Sequence, residues 1–285
     1  MSYHVILAPM TGSDTDGHAL HAALAVAREF NGHVDALYID PRPEDTLPLL
    51  AQGLPEPVIL DMTRTVRAQN AAIRERAHGL FERATTSLSG LAVSEQPERD
   101  GPSAAWRTIR GTADALLPHE GRKADLIVFA HSTLPGQQAA VEAALFGTGR
   151  PVLLVPPEHS APLGRSVSIA WNGSVEATRA VAASLPFLHR ADSVFVLSTE
   201  PRSVDPHDCA GLLRYLRWHG VDAEFAAVRT GLDDLGDGLI RRADELGADL
   251  IVMGAYGYSR LRETVFGGVT RFMLRHPNKA LLLTH

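Results

Sequence analysis

The chain has 285 residues, 45% hydrophobic and 21% charged, which fits a soluble globular protein of two domains and excludes a disordered or fibrous one. No apolar stretch reaches the roughly 18 residues of a membrane span. The net charge of −6, with its acid excess confined to residues 1–163, speaks against nucleic acid or an anionic membrane as partner.

The N-terminus enters a strand-like run, Val5-Ile-Leu-Ala-Pro9, with no basic secretory leader before it. A turn at Gly12-Ser13 follows. His18 and His21, on the helix expected next, have metal-compatible spacing but no evident third ligand, and solvent-facing histidines are expected. Pro41, Pro43, Pro48, Pro55 and Pro57 make a loop, and a helix carrying Val66, Ile73 and Leu80 comes after it. Ala124-Asp-Leu-Ile-Val128 and Pro151-Val-Leu-Leu-Val155 read as strands. Pro156–Gly164 is a proline-rich linker.

Beyond the linker the pattern starts again. Val167-Ser-Ile-Ala-Trp171 with Gly173-Ser174 repeats the opening strand and turn. Ser174 is placed to cap a helix from Val175 whose apolar face holds Ala177, Ala180, Val181 and Leu188. Ser193–Leu197 is a strand, and Leu212, Leu213, Leu216 and Trp218 mark a helix. Cys209, the one cysteine, excludes an intrachain disulfide, fits a reducing cytoplasm and reads as an ordinary helix residue. A strand near Ala223–Val228 and a helix with Leu235, Leu239, Ile240, Ala243 and Leu246 come next. Ala248-Asp-Leu-Ile-Val252 then repeats the earlier pentapeptide unchanged, and Lys279–Leu283 repeats Pro151–Val155.

Three strand-like segments in one order, twice, mean a duplicated domain. The expected domains are 1–158 and 164–285. Each is an α/β unit with a five-stranded parallel sheet and helices on both faces, because strands alternate with helical segments. The first copy is longer, and its extra residues fall in Pro41–Arg76.

The most informative motif is Gly254-Ala-Tyr-Gly257, nine residues, then Gly267-Gly268-Val269-Thr270. It lies between an apolar strand and a helix ending near Arg275. Glycines there let backbone approach a ligand closely, and a helix start offers unpaired N–H groups to an anion. A phosphate-bearing ligand is the expectation. Only Lys123 and Lys279 are lysines and neither follows a glycine loop, which excludes a Walker-type phosphate loop. Both copies lack the Gly-x-Gly-x-x-Gly of a dinucleotide dehydrogenase after the first strand. Arg260 and Arg262 lie inside the glycine loop, where they reach a phosphate or face solvent. Ser174 has no base or orienting carboxylate at fixed spacing, so no catalytic residue is expected.

The Gly-x2-Gly-x9-Gly pattern resembles the nucleotide-binding signature of the universal stress protein family, and Ile169-Ala-Trp-Asn-Gly-Ser174 resembles that family's first strand and turn. The resemblance covers the whole chain as a tandem pair. It implies two Rossmann-like domains paired edge to edge through their last strands, Val152–Val155 and Leu281–Thr284, as an intrachain pseudo-dimer, with a further homodimer open. It also implies an adenine nucleotide, ATP accompanied by Mg²⁺, and a cytoplasmic role in stress response or signalling, with slow ATP hydrolysis at most.

Carried over position by position, Ala170, Trp171 and Asn172 flank the base and ribose. Asn172 stands where the family has Asp. Trp171 either stacks on a base or fills the pocket. Ser198 offers backbone groups to adenine; Met253, Gly254, Tyr256 and Gly257 line the phosphate side; Gly267, Gly268 and Val269 supply N–H groups and Thr270 a hydroxyl. The family usually has Ser or Thr at Gly268. In the first copy Ala130 and Thr133 replace Gly254 and Gly257, so that site is expected to be lost. The alternative function is a nucleotide-independent interaction module.

Overall fold

Apolar runs without polar alternation become strands buried on both faces of a sheet, and the two repeated segments do so as β5 (Leu126–Ala130) and β10 (Leu250–Gly254). The structure, a computed structural model, describes residues 2–46, 54–96, 101–132, 134–157, 163–199, 206–229, 235–255, 268–276 and 278–285. The first half of the chain also supplies β1 (Val5–Met10), α1 (Asp16–Phe30), β2 (His33–Asp40), α2 (Pro43–Thr46), α3 (Glu56–Thr86), β3 (Ala92–Val93), β4 (Ser103–Arg110), α4 (Ala113–Gly121), α5 (Pro135–Thr148) and β6 (Val152–Val155). The second half supplies β7 (Ser166–Ala170), α6 (Val175–Leu188), β8 (Ser193–Thr199), α7 (Pro206–Trp218), β9 (Glu224–Val228), α8 (Leu235–Glu245), α9 (Val269–Arg275) and β11 (Ala280–Thr284).

The strands form one 11-stranded sheet in the order β3-β4-β2-β1-β5-β6-β11-β10-β7-β8-β9. Neighbours within each half are parallel. The halves meet where β6 and β11 pair antiparallel, with Leu281 opposite Leu154 and Leu283 opposite Val152. These are the two strands expected to form the junction. Strand order reverses between β1 and β5 and again between β7 and β10. Such switch points open crevices at the carboxyl ends of the strands.

The pleat sorts the core into two layers. On one face Ile6, Ala8, Val167 and Ile169 pack against α1, α3, α6 and α7. On the other, Leu7, Ile127, Ile251 and Met253 pack against α4, α5, α8 and α9. No described helix is long and apolar enough to cross a membrane.

Three features depart from expectation. The described residues of the first half form six strands, because two-residue β3 pairs with the outer side of β4. The proline-rich insertion contains α2 and leads into the 31-residue α3, of which only Ala77, Phe81, Ala84 and Thr85 are buried. Trp218 is 86% exposed although Leu212 and Leu216 are buried. Two residues past Leu216 is about 200° round the helix, so the indole leaves the core face.

Candidate functional site at the carboxyl ends of the second-half strands

Ala170 is in register with Leu197 of β8 on one side and Met253 of β10 on the other. Ala170, Trp171, Asn172, Ser198, Met253 and Gly254 therefore gather at the ends of three adjacent strands. Alternation then divides them. Ala170 and Met253 face the α8 and α9 layer. Trp171 continues the Val167–Ile169 row into the other layer, where it is buried with residues of α6 and α7. Its backbone N–H donates to the Leu197 carbonyl at 2.8 Å. The indole is thus a core side chain. Ser198 follows Val194 and Val196, is 3% exposed, and its Oγ has no hydrogen-bond partner among the described residues.

Gly254 has a packing reason of its own. A Cβ there would stand 2.5 Å from the Ala177 nitrogen and 2.7 Å from the Glu176 carbonyl carbon, in the first turn of α6. Thr284 Oγ1 donates to the Glu176 carbonyl at 2.9 Å and ties the same turn to β11. The close approach that this glycine permits is to α6, on the side away from α9.

The loop before α6 is ordered by its own side chains. Asn172 Oδ1 accepts from the Ser174 amide at 3.1 Å, and Ser174 Oγ accepts from the Ala177 amide at 3.1 Å. Ser174 is the expected helix cap, which gives its hydroxyl a structural role. At the other wall Gly268 is the N-cap of α9, with φ −59° and ψ 147° and no side-chain cap. Val269 and Thr270 form the first turn, and Thr270 is 3% exposed. Tyr256, Gly257 and Gly267, with Arg260 and Arg262, lie outside the described residues.

The corresponding loop of the first half is closed by groups that sequence reasoning missed. Asp16, 4% exposed, accepts from the amides of Thr11 (2.6 Å) and Gly12 (2.7 Å) and from the hydroxyls of Thr11 and Ser13 (both 2.9 Å). Burial raises the carboxyl pKa, and these four bonds pull against that rise. Gly12, at φ +79°, lies under Ile73 of α3; a Cβ there would be 2.9 Å from the Ile73 carbonyl oxygen. The chain's own carboxylate takes the amides that an anion would need. The polar run Thr11-Gly-Ser-Asp-Thr-Asp16 was the available signal. Thr133 lies outside the described residues, and Ala130 ends β5.

His131 was also missed. It follows β5, is 2% exposed, and its Nε2 lies 3.1 Å from the Met273 carbonyl in α9. Burial holds its pKa below the ordinary value, the Met273 bond opposes this, and His276 adds to the lowering. A folded-state pKa below the unfolded value means that the unfolded chain takes up the proton first. The stability from neutral His131 is therefore present above about pH 6.5 and lost as pH falls toward the folded pKa. The denaturant midpoint should drop between pH 7 and pH 5, and His131→Gln should flatten part of that slope. An unchanged slope in the variant would refute this.

Elsewhere, a cavity of about 330 Å³ between α4 and the sheet is lined by His33, Asp35, Arg107 and Glu120. Arg107 Nε donates to both Asp35 oxygens at 2.8 Å and Nη2 to Glu120 at 2.7 Å, and Lys123 Nζ donates to Glu120 at 2.7 Å, so two cations match the two carboxylates. Among the described residues no three His, Cys, Asp or Glu side chains are grouped to hold a metal ion, His18 and His21 included.

Residues 218–285 match the model of the universal stress protein family. That segment runs from the last residue of α7 through β9, α8, β10, the glycine motif, α9 and β11. No curated protein matches the chain. Among solved structures, a universal stress protein from Archaeoglobus fulgidus DSM 4304 is similar over 99% of this chain and 96% of its own, at 13% identity and TM-score 0.64. A functionally unknown protein from Pseudomonas aeruginosa PAO1 is similar over 99% and 92%, at 17% identity and TM-score 0.52. The tandem fold is that of universal stress proteins.

Proposed function

We propose that the chain is a tandem universal stress protein that binds an adenine nucleotide, ATP with Mg²⁺, in its second domain and acts in the cytoplasm in stress response or signalling. The domains are 1–158 and 164–285, paired as a pseudo-dimer through β6 and β11, with neither nucleic acid nor membrane as partner. The observation that carries the reading is the placement of the glycine motif. In sequence it connects β10, which borders a switch point, to α9, inside the segment matched by the family model.

The residues present fit such a ligand. Ser198 offers backbone groups at the end of β8, its hydroxyl lying in the row of Val194 and Val196 on the α6 and α7 side, and Gly268 heads α9 without a side-chain cap. Asn172, already accepting from the Ser174 amide, contributes an uncharged edge for base or ribose. Ala170 and Met253 form the apolar floor, and Val269 and Thr270, in the first turn of α9, the described part of the phosphate wall. The metal neutralises charge on the triphosphate when bound. The chain's own residues orient the ligand, with slow ATP hydrolysis at most.

Isothermal titration with ATP, ADP and Mg²⁺, joined to mass spectrometry of ligand released from fresh protein, tests this. Heat at millimolar ATP supports the reading, and its absence leaves the interaction-module alternative. What favours that alternative is Gly254, whose missing Cβ is already explained by α6. Gly268→Ser is a sharper probe. Ser adopts the observed φ and ψ without strain, and adds a hydroxyl at a vacant cap. Affinity should rise about two- to tenfold, for one neutral hydrogen bond of roughly 0.5–1.5 kcal/mol. Weaker binding by the variant would count against a phosphate at this wall.

A further inference from the structure

Among the described residues the two halves share one buried polar contact at α9. Met273 lies in the last turn of α9, where carbonyls have no partner further along the helix. Its carbonyl receives a 3.3 Å bond from the His276 amide and, from the first half, His131 Nε2 at 3.1 Å. A carbonyl only accepts, so Nε2 carries the ring proton. His131 is thus a helix cap supplied by the other half of the chain.

Two facts make this contact consequential. A helix of seven residues is marginal without tertiary support. His131 is itself fixed, because its backbone amide donates to the Val155 carbonyl of β6 at 2.7 Å, beside the β6–β11 junction. The other edge of the ring faces a narrow cavity beside the closed first-half loop. Its Nδ1 and Gln137 Oε1 are both buried without partners among the described residues and line that cavity. The Gln137 amide is oriented by the loop. Thr11 and Ser13 give their hydroxyl protons to Asp16, so they accept from Gln137 Nε2 at 3.1 and 3.0 Å.

We propose that His131 is a positioning residue through which the first domain holds α9 in place, and with it the nucleotide wall of the second domain. The ligand part rests on the function proposed above; the helix part does not. The degenerate first domain thereby completes the second domain's site from behind, touching no ligand.

The test measures amide exchange over Val269–Arg275 and ATP affinity by titration, in the full chain. His131→Leu removes the donor while keeping an apolar filling; His131→Gln keeps an N–H that can reach the Met273 carbonyl. In His131→Leu, exchange in α9 should quicken about tenfold while β1 amides stay as in the wild type, and ATP affinity should fall three- to tenfold. His131→Gln should restore both to within about twofold. Should the Leu variant fail to fold, His131→Asn, whose amide stops short of the carbonyl, takes its place. Wild-type exchange rates in the donor-less variant, or no rescue by Gln, would overturn the proposal. If wild-type protein binds no ATP, the function reading fails, and the exchange result still decides this one.

Discussion

Gly254→Val is expected to destabilise the chain by about 3 kcal/mol, at the upper end for an overpacked core site, lowering Tm by roughly 6–12 °C. The first added atom meets backbone, at 2.5 Å from the Ala177 nitrogen and 2.7 Å from the Glu176 carbonyl carbon. Neither can swing aside as a side-chain tip would. The first turn of α6 must move, and it is held by the Ser174 cap and by Thr284 Oγ1 on the Glu176 carbonyl. Gly254→Ala should show the same sign with a smaller loss, since the methyl alone makes these contacts. The control is Ala130→Gly at the corresponding position of β5, where only the strand cost of glycine, about 0.5–1 kcal/mol, is expected. Differential scanning calorimetry decides. A neutral Gly254→Ala would mean that α6 yields freely and that the glycine is there for a ligand.

This site shows how far the residues alone could be read. The repeated pentapeptides gave β5 and β10 because a continuous apolar run has few fates in an α/β chain. The Ser174 cap was legible for the same reason: its chemistry is local. Gly254 was legible as a place where a Cβ is forbidden, but a sequence does not say what forbids it. That neighbour lies some 77 residues back, and only the sheet order brings α6 to β10. Asp16 and His131 were hidden likewise. Each looks like an ordinary polar residue until the fold buries it, one against the amides of its own loop and one against a carbonyl 142 residues away. The length of α3 was hidden because its first turns are exposed and lack an apolar stripe.

The two halves keep one architecture and differ in the loop after the first strand. In the first, Asp16 satisfies the strand-end amides and Ile73 covers Gly12. In the second, the corresponding loop is held by Asn172 and Ser174, which cap their own backbone and bring no carboxylate to the strand ends. An anionic ligand finds the loop's donors already taken by a carboxyl group in one half and no carboxyl group from this loop in the other. The asymmetry accounts for a single proposed site in a duplicated fold.

Trp171→Ala is expected to cost about 3–5 kcal/mol, the range for truncating a buried aromatic, and to lower Tm by roughly 6–20 °C. The indole belongs to the layer under α6 and α7, in the row of Val167 and Ile169, and its removal leaves a cavity there. The nucleotide proposal adds a second expectation. Ala170 and Met253 face the opposite layer, where α9 starts, so removing the indole should not open space for the ligand. At a temperature where the variant is fully folded, its ATP affinity should match the wild type within about threefold. A ring that stacks on adenine would lose about 1–3 kcal/mol of binding when truncated, by analogy with base–aromatic stacking elsewhere. A ring that plugs the crevice would instead give tighter binding with little change in Tm. Either pattern, seen in paired calorimetry and titration, would move Trp171 from the core into the site.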